Sequence, residues 1–196
     1  WARTVKSPNP AFSHIDVPLV SNFILSSKEG KEAYVQPVIN KNGYLFTVNV
    51  GKPPTGSKTG TKSARANFRC VMSNVPIDSK YIRLEAQAGR MGAQLMAIIV
   101  EGHRERVYVS PIAAHAEVAR SAKSPWKPDL KVTTPCHDID RLPMYGMYTW
   151  GDAFTPRQLM ALTTFSDLVG EARKRIHADA RSSGLSDDDT ALDAGG

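Results

Sequence analysis

Cys70 is followed three positions later by Ser73, so the chain carries half of a C-x2-C pair, the spacing on which many structural zinc sites are built. Such a site needs a nearly full set of thiolate or imidazole ligands. The histidines at 14, 103, 115, 137 and 177 supply no closely spaced pair on a common turn or helix face. A solitary cysteine is expected to pack as a small apolar side chain. Cys136-His137-Asp138 brings nucleophile, base and acid types together, but catalytic triads are assembled in space rather than from sequence neighbours. In its proline-flanked setting the run reads as a solvated loop. Gly89-Arg90-Met91-Gly92 lacks both the G-x-G-x-x-G pattern and a P-loop Lys-Ser/Thr pair. It is expected to be a tight turn, with Arg90 the charge that could meet a phosphate beside it.

Binding chemistry has better support than catalysis. Residues 1–70 contain ten Lys or Arg against three acids, whereas the remainder has fifteen against sixteen. A basic half of this kind suits polyanions, because each phosphate neutralised releases condensed counterions. Its densest part is Gly51–Asn67, where Lys52, Lys58, Lys62 and Arg65, with Arg69 just beyond, are spread among Gly, Thr, Ser and Pro. Cations on such a loop neutralise phosphates without reading sequence. Together with Arg90 they form the candidate nucleic-acid-binding set. Tyr44 and Phe46 nearby could face a groove, although aromatic residues in strands more often belong to a core. The run Tyr145-Gly146-Met147-Tyr148-Thr149-Trp150-Gly151-Asp152 could stack on a base, or pack where the chain enters its last helix.

The elements that must hold these residues follow from pattern. Val17–Ser26 has strand composition, and Glu32–Ile39 and Tyr44–Val50 alternate around Asn40-Lys41-Asn42-Gly43, which predicts a hairpin. Gly51–Asn67 has no apolar period and is expected to be a long exposed loop. Asp78 caps a short helix through Gln87 that stops at Gly89; Gln94–Val100 and Arg106–Ser110 form strands; Pro111–Ala122 is helical. Lys123–Arg141 has three prolines and reads as a linker or extended crossing. Thr155-Pro156-Arg157-Gln158 fits a capping box with proline at the first helical position. Leu159, Leu162, Phe165, Val169, Ala172 and Ile176 then recur at steps of three or four, one stripe along about seven turns. Beyond Arg181 the composition is that of a frayed acidic tail.

With 41% apolar and 22% charged residues the chain is globular in type and long enough to bury a core without disulfides. No apolar run approaches the roughly 18 residues of a membrane span. The basic, polar opening lacks the apolar stretch of a secretory signal. Two cysteines, expected to be reduced, fit a cytoplasmic protein. Trp1 and the closing Gly195-Gly196 are what an excerpt of a longer reading frame, or a processed chain, would show.

Three blocks carry a resemblance: Trp1-Ala2-Arg3-Thr4-Val5-Lys6; Tyr81-Ile82-Arg83 with Ala88-Gly89-Arg90-Met91-Gly92-Ala93; and Phe154-Thr155-Pro156-Arg157-Gln158-Leu159 through Leu162-Thr163-Thr164-Phe165-Ser166-Asp167-Leu168-Val169. The chain resembles, from Trp1 to about Ala180, the large adenine-specific DNA methylases that carry a zinc-ribbon insertion, part of which is a domain of unknown function. In that family a ribbon uses an early C-x4-C pair and a later C-x2-C pair. Carried over, the four positions are Ser7, Phe12, Cys70 and Ser73, three of which cannot supply a thiolate. The resemblance therefore implies a ribbon held without metal, by residues such as Phe12, Phe23 and Phe68. The parent enzyme would take its methyl group from S-adenosylmethionine through a Gly-rich loop and a D/N-P-P-Y/F motif. Neither is present here, and Lys52-Pro53-Pro54-Thr55 is the nearest match.

The expected fold is α+β: a β-rich ribbon-like part (residues 1–122), a proline-rich crossing (123–153), a long helix (154–182) and an acidic tail (183–196). The expected function is the non-catalytic insertion of a DNA adenine methyltransferase, with DNA and the remaining catalytic domain as partners and no cofactor in this chain. The alternative is a structural or protein-binding module with no nucleic-acid role.

Overall fold

The computed structural model of the chain describes residues 1–133 and 141–185. Cys136-His137-Asp138 and the tail beyond Leu185 lie outside them. The first half is a run of short antiparallel strands: β1 (Ala2–Lys6), β2 (Asp16–Pro18), β3 (Ile24–Ser26), β4 (Ala33–Asn40), β5 (Gly43–Val50), β6 (Lys62–Ala64), β7 (Asn67–Arg69) and β8 (Pro76–Ile77). Helix α1 (Ser79–Gln87) follows, then β9 (Gly92–Gln94), the hairpin β10 (Ile98–Glu101) and β11 (Arg106–Val109), helix α2 (Ala113–Ser121) and helix α3 (Pro156–Ser182). The sheets run β2-β1-β9, β3-β4-β5, β6-β7-β8 and β10-β11, all antiparallel. The fold is thus mixed α+β, and no described helix is long and apolar enough to cross a membrane.

The hairpin of β4 and β5 forms where turn chemistry and alternation agree. It pairs without a break from Ala33↔Val50 to Asn40↔Gly43, and Asn40 Oδ1 accepts from Asn42 N–H at the turn. Phe46 is buried on it and meets Phe23 and Tyr44 at ring-centroid distances of 6.3 and 5.2 Å. Its place is therefore in the core and not on an open groove. Two apolar clusters result. One gathers Ala2, Phe23, Val35, Phe46 and Met96; the other gathers Val5, Ile15, Val17, Cys70, Ile77 and Ile82, with Phe12 and Phe68 packed against it. Tyr44 belongs to the margin of both, and its hydroxyl sits between two acceptors, Gln94 Oε1 and Asp16 O, that share its single proton.

Two expected strands are broken. Val17–Ser26 splits into β2 and β3, because the backbone N–H and C=O of Val20 bond to Thr61 and Lys62 of a later segment. The Gln94–Val100 run splits into β9 and β10, with Leu95 and Met96 buried between them. Asp78 Oδ1 accepts from Tyr81 N–H, so α1 begins as its cap dictates. The proline-rich crossing is not free either: Trp150 and Gly151 N–H donate to Leu130 O and Pro128 O, and Val132 N–H donates to Tyr148 O.

A 3-10 turn at Leu142–Tyr145 packs on α1, and Gly146 closes it at φ 71° with its Cα against Ala86 O. A Cβ there would lie 2.6 Å from that carbonyl oxygen, so only glycine lets the turn sit on the helix. The run Tyr145–Asp152 is accordingly held in place ahead of α3, with Tyr145 and Met147 half-buried and Tyr148 and Trp150 exposed. Asp152 fixes it, accepting from Tyr148 and Thr149 N–H and pairing with Lys127. The Lys127 ammonium and the Thr149 amide hold its carboxyl well below the usual range. The Arg90 guanidinium lowers the carboxyl of Glu85.

Both carboxylates, with folded pKa values below unfolded ones, contribute stability that is fully present above the ordinary carboxylate pKa of about 4. It is lost as pH falls through the depressed folded values. The melting temperature is therefore expected to be flat from pH 7 to about 5 and to fall in stronger acid, with a shallower acid limb in Asp152→Asn. A scan in which the variant and the parent chain lose stability in parallel below pH 4 would contradict this.

Candidate nucleic-acid interface

The basic segment Gly51–Asn67 is not the structureless loop that its composition suggests. Its apolar period is absent because its order comes from backbone and hydroxyl groups rather than from side-chain burial. Phe23 N–H donates to Ser57 O (2.8 Å), and Thr61 and Lys62 N–H both donate to Val20 O (3.1 and 3.0 Å). The buried Thr61 hydroxyl donates to Pro18 O and accepts from Val20 N–H. Gly60, at φ 54°, passes so close to Val20, Ser21 and Asn22 that no side chain fits. The chain then turns through β6 and β7 at Arg65-Ala66, where Arg65 takes a left-handed conformation at φ 49°. Asn67 Oδ1 accepts from Ser79 N–H and ties this hairpin to the start of α1.

This scaffold sets Lys62 and Arg65 on the rim of a groove of about 400 Å³ or slightly less (≈ 370 Å³), and Arg3 of β1 joins them there. The floor is apolar, built from Leu19, Phe68, Ile82, Met91, Tyr145 and Met147. No acidic side chain is among the described residues that line it. Three exposed cations around an acid-free apolar trough make a local positive field. Sequence reasoning had no signal for Arg3, which lies on a different strand; Tyr145 and Met147, about eighty residues further along the chain, belong to the run that the sequence offered either as a base-stacking segment or as a packed entry to the last helix.

The other candidates are placed differently. Lys52 and Lys58 are exposed and do not line the groove. Arg69 is exposed and donates through Nη1 to Asn74 O at 3.4 Å, beside the groove rather than in it. Arg90 forms a two-point pair with the buried Glu85, Nε to Oε2 at 3.0 Å and Nη2 to Oε1 at 2.6 Å. Its charge is matched within the protein, so it offers a phosphate less than its neighbours do.

Ser7, Cys70 and Ser73, three of the four positions carried over for the zinc ribbon, meet in the fold. Ser7 Oγ donates to Cys70 Sγ at 3.3 Å, and Phe12 packs against the cluster that contains Cys70. Cys70 opens a tight turn in which its N–H donates to Val75 O and Asn74 N–H donates to Cys70 O, with Asn74 at φ 57°. Burial pushes the Cys70 thiol up, but the Ser7 and Ser73 hydroxyls and the Ser73 and Met72 amides outweigh it and leave the thiol below its usual value. Ser73 Oγ acts on that sulfur only by proximity, since it makes no hydrogen bond of normal geometry among the described residues. One thiol, two hydroxyls and a phenyl ring do not fit zinc, which takes four N, S or carboxylate ligands in structural sites. Among the described residues no three His, Cys, Asp or Glu side chains are close enough to hold a metal ion.

Comparison with protein-family models, with curated proteins and with solved structures finds no match for this chain.

Proposed function

We propose that this chain is a non-catalytic, DNA-contacting segment of a larger S-adenosylmethionine-dependent DNA adenine methyltransferase. The observation that carries the contact is the acid-free groove rimmed by Arg3, Lys62 and Arg65. The parent is suggested by the three resembling sequence blocks, to which the meeting of Ser7, Cys70 and Ser73 adds support as a ribbon corner held without metal. In this reading the methyl donor and the reacting base belong to the remaining catalytic domain.

The test is binding of the full chain to DNA across a salt series, with Arg3→Ala, Lys62→Ala and Arg65→Ala combined. If all three cations meet phosphates, the slope of log affinity against log salt becomes shallower by about three units, at roughly 0.9 per phosphate on duplex DNA. A combined Lys52→Ala and Lys58→Ala variant should change it less. Absence of binding at low salt would overturn the reading.

A second reading has its own observation. Helix α3 begins packed, with Leu159 buried and Arg157 stacked 3.9 Å from the Trp1 ring centroid, but its stripe then leaves the body. Leu162, Phe165, Val169 and Ile176 are 53–69% exposed. This supports a docking role in which the remaining catalytic domain of the parent covers the stripe. That role and DNA contact use different faces and are compatible.

A further inference from the structure

The groove beside β6 and β7 combines two chemistries that a duplex backbone does not need together. Its rim is cationic, and its floor is apolar, with Phe68, Met91, Tyr145 and Met147 among the lining residues. Duplex DNA turns phosphates and sugars outward and keeps its bases stacked on one another, so an apolar trough facing it would stay wet and unused. An unpaired strand instead frees a flat, poorly hydrated base beside each phosphate, and such bases gain most by lying on aromatic or apolar side chains. The cavity of ≈ 370 Å³ lies within the range of small-molecule sites, roughly 300–1000 Å³, so its scale is that of a single nucleotide and not of a helix groove.

We propose that this groove receives one unpaired nucleotide, its base over Tyr145 and Phe68 and its flanking phosphates on Arg3, Lys62 and Arg65. The proposal rests on the nucleic-acid reading above and deepens it from phosphate contact to base contact. The structure favours it in a further way. The rim cations come from the well-tied β6–β7 hairpin and from β1, while the floor takes Phe68 from the same hairpin, Ile82 from α1, Tyr145 and Met147 from the segment packed on α1, and Leu19 and Met91 from the chain between elements. Rim and floor are thus tied together, Lys62 pairing with Phe68 across β6 and β7 and Asn67 accepting from Ser79 N–H at the start of α1, which suits a site that must be in place before its ligand arrives. Among the described residues no acid lines it to repel a phosphate and none of its three cations is in an ion pair, in contrast to Arg90 on Glu85.

The experiment compares three probes on the full chain at one salt concentration: a short single-stranded oligonucleotide, the same strand with abasic sugars, and the corresponding duplex. The single strand and the abasic strand carry equal charge and differ only in the base. The normal strand is expected to bind about tenfold more tightly than the abasic one. A 2-aminopurine placed in it should change its emission on binding. Tyr145→Leu should bring the affinity for the normal strand down toward that for the abasic one, whereas Met147→Glu, which sets a carboxylate among the three cations, should weaken binding of all three probes. Because Tyr145 also packs on the core, the abasic comparison, which alters no residue, decides if the variant unfolds. Equal affinity for normal and abasic strands overturns base contact and leaves phosphate contact standing. Failure of all three probes to bind overturns both.

Discussion

Gly60→Ala should cost about 3 kcal/mol and lower the melting temperature by roughly 10 °C, at 2–4 °C per kcal/mol for a chain of this size. Two effects add. The residue holds φ 54°, where an L side chain is strained. Its Cβ would also fall 2.6 Å from Val20 O, 2.7 Å from Asn22 N and 2.8 Å from Ser21 C, all backbone atoms that cannot rotate away. Relief means moving the 60s loop off the 18–23 segment. That breaks the bonds from Thr61 and Lys62 N–H to Val20 O and takes Lys62 and Arg65 out of the rim. Gly56→Ala is the control within the same loop: its Cβ meets nothing within 4 Å, and a change of only a few tenths of a kcal/mol is expected. Thermal melts of the two variants check both numbers. Equal, small shifts would mean that the basic loop is not anchored as described, and DNA binding should then survive Gly60→Ala.

That loop also shows where the sequence was legible and where it was not. The hairpin of β4 and β5 and the caps of α1 and α3 were readable because their determinants are local. Asn40 bonds two residues on, Asp78 three residues on, and Gln158 Oε1 accepts from Thr155 N–H. The order of residues 51–67 was hidden because its partners, Pro18, Val20 and Phe23, lie about forty residues away and engage it through backbone groups that carry no residue code. Periodicity fails there for a physical reason: only Ser57 and Thr61 are buried, and both are polar. The stripe of α3 is the opposite case. Its spacing correctly fixed the helix and its apolar face, but spacing cannot say whether that face is covered, and most of it is not. The candidate site lies between these cases. Lys62 and Arg65 were legible by charge, whereas Arg3 and the apolar floor became partners only through tertiary packing.

Replacing Ser7, Phe12 and Ser73 by cysteine should convert a chain that has one thiol at this corner into one that binds zinc tightly, with an apparent free energy of order 10 kcal/mol at neutral pH. The geometry supplies the reason. Ser7 Oγ and Cys70 Sγ are already 3.3 Å apart, a little closer than two sulfurs on one zinc, and Ser73 sits in the same tight turn as Cys70. The electrostatics agree, since amides and hydroxyls already favour the charged form of Cys70. Phe12 is the position that the fold specifies least, because it is known to pack on the Cys70 cluster rather than to touch the sulfur. Two variants separate these points. Ser7→Cys with Ser73→Cys gives three thiolates and an open fourth position, and it should bind cobalt weakly. Adding Phe12→Cys should raise the affinity steeply and give the intense absorption of tetrahedral thiolate cobalt. Equal affinity in both would show that position 12 faces elsewhere and that only three corners of the ribbon survive. Failure of both to bind cobalt would mean that the two turns are not halves of one ribbon, removing the structural support for the methylase resemblance while leaving the basic groove and its DNA test untouched.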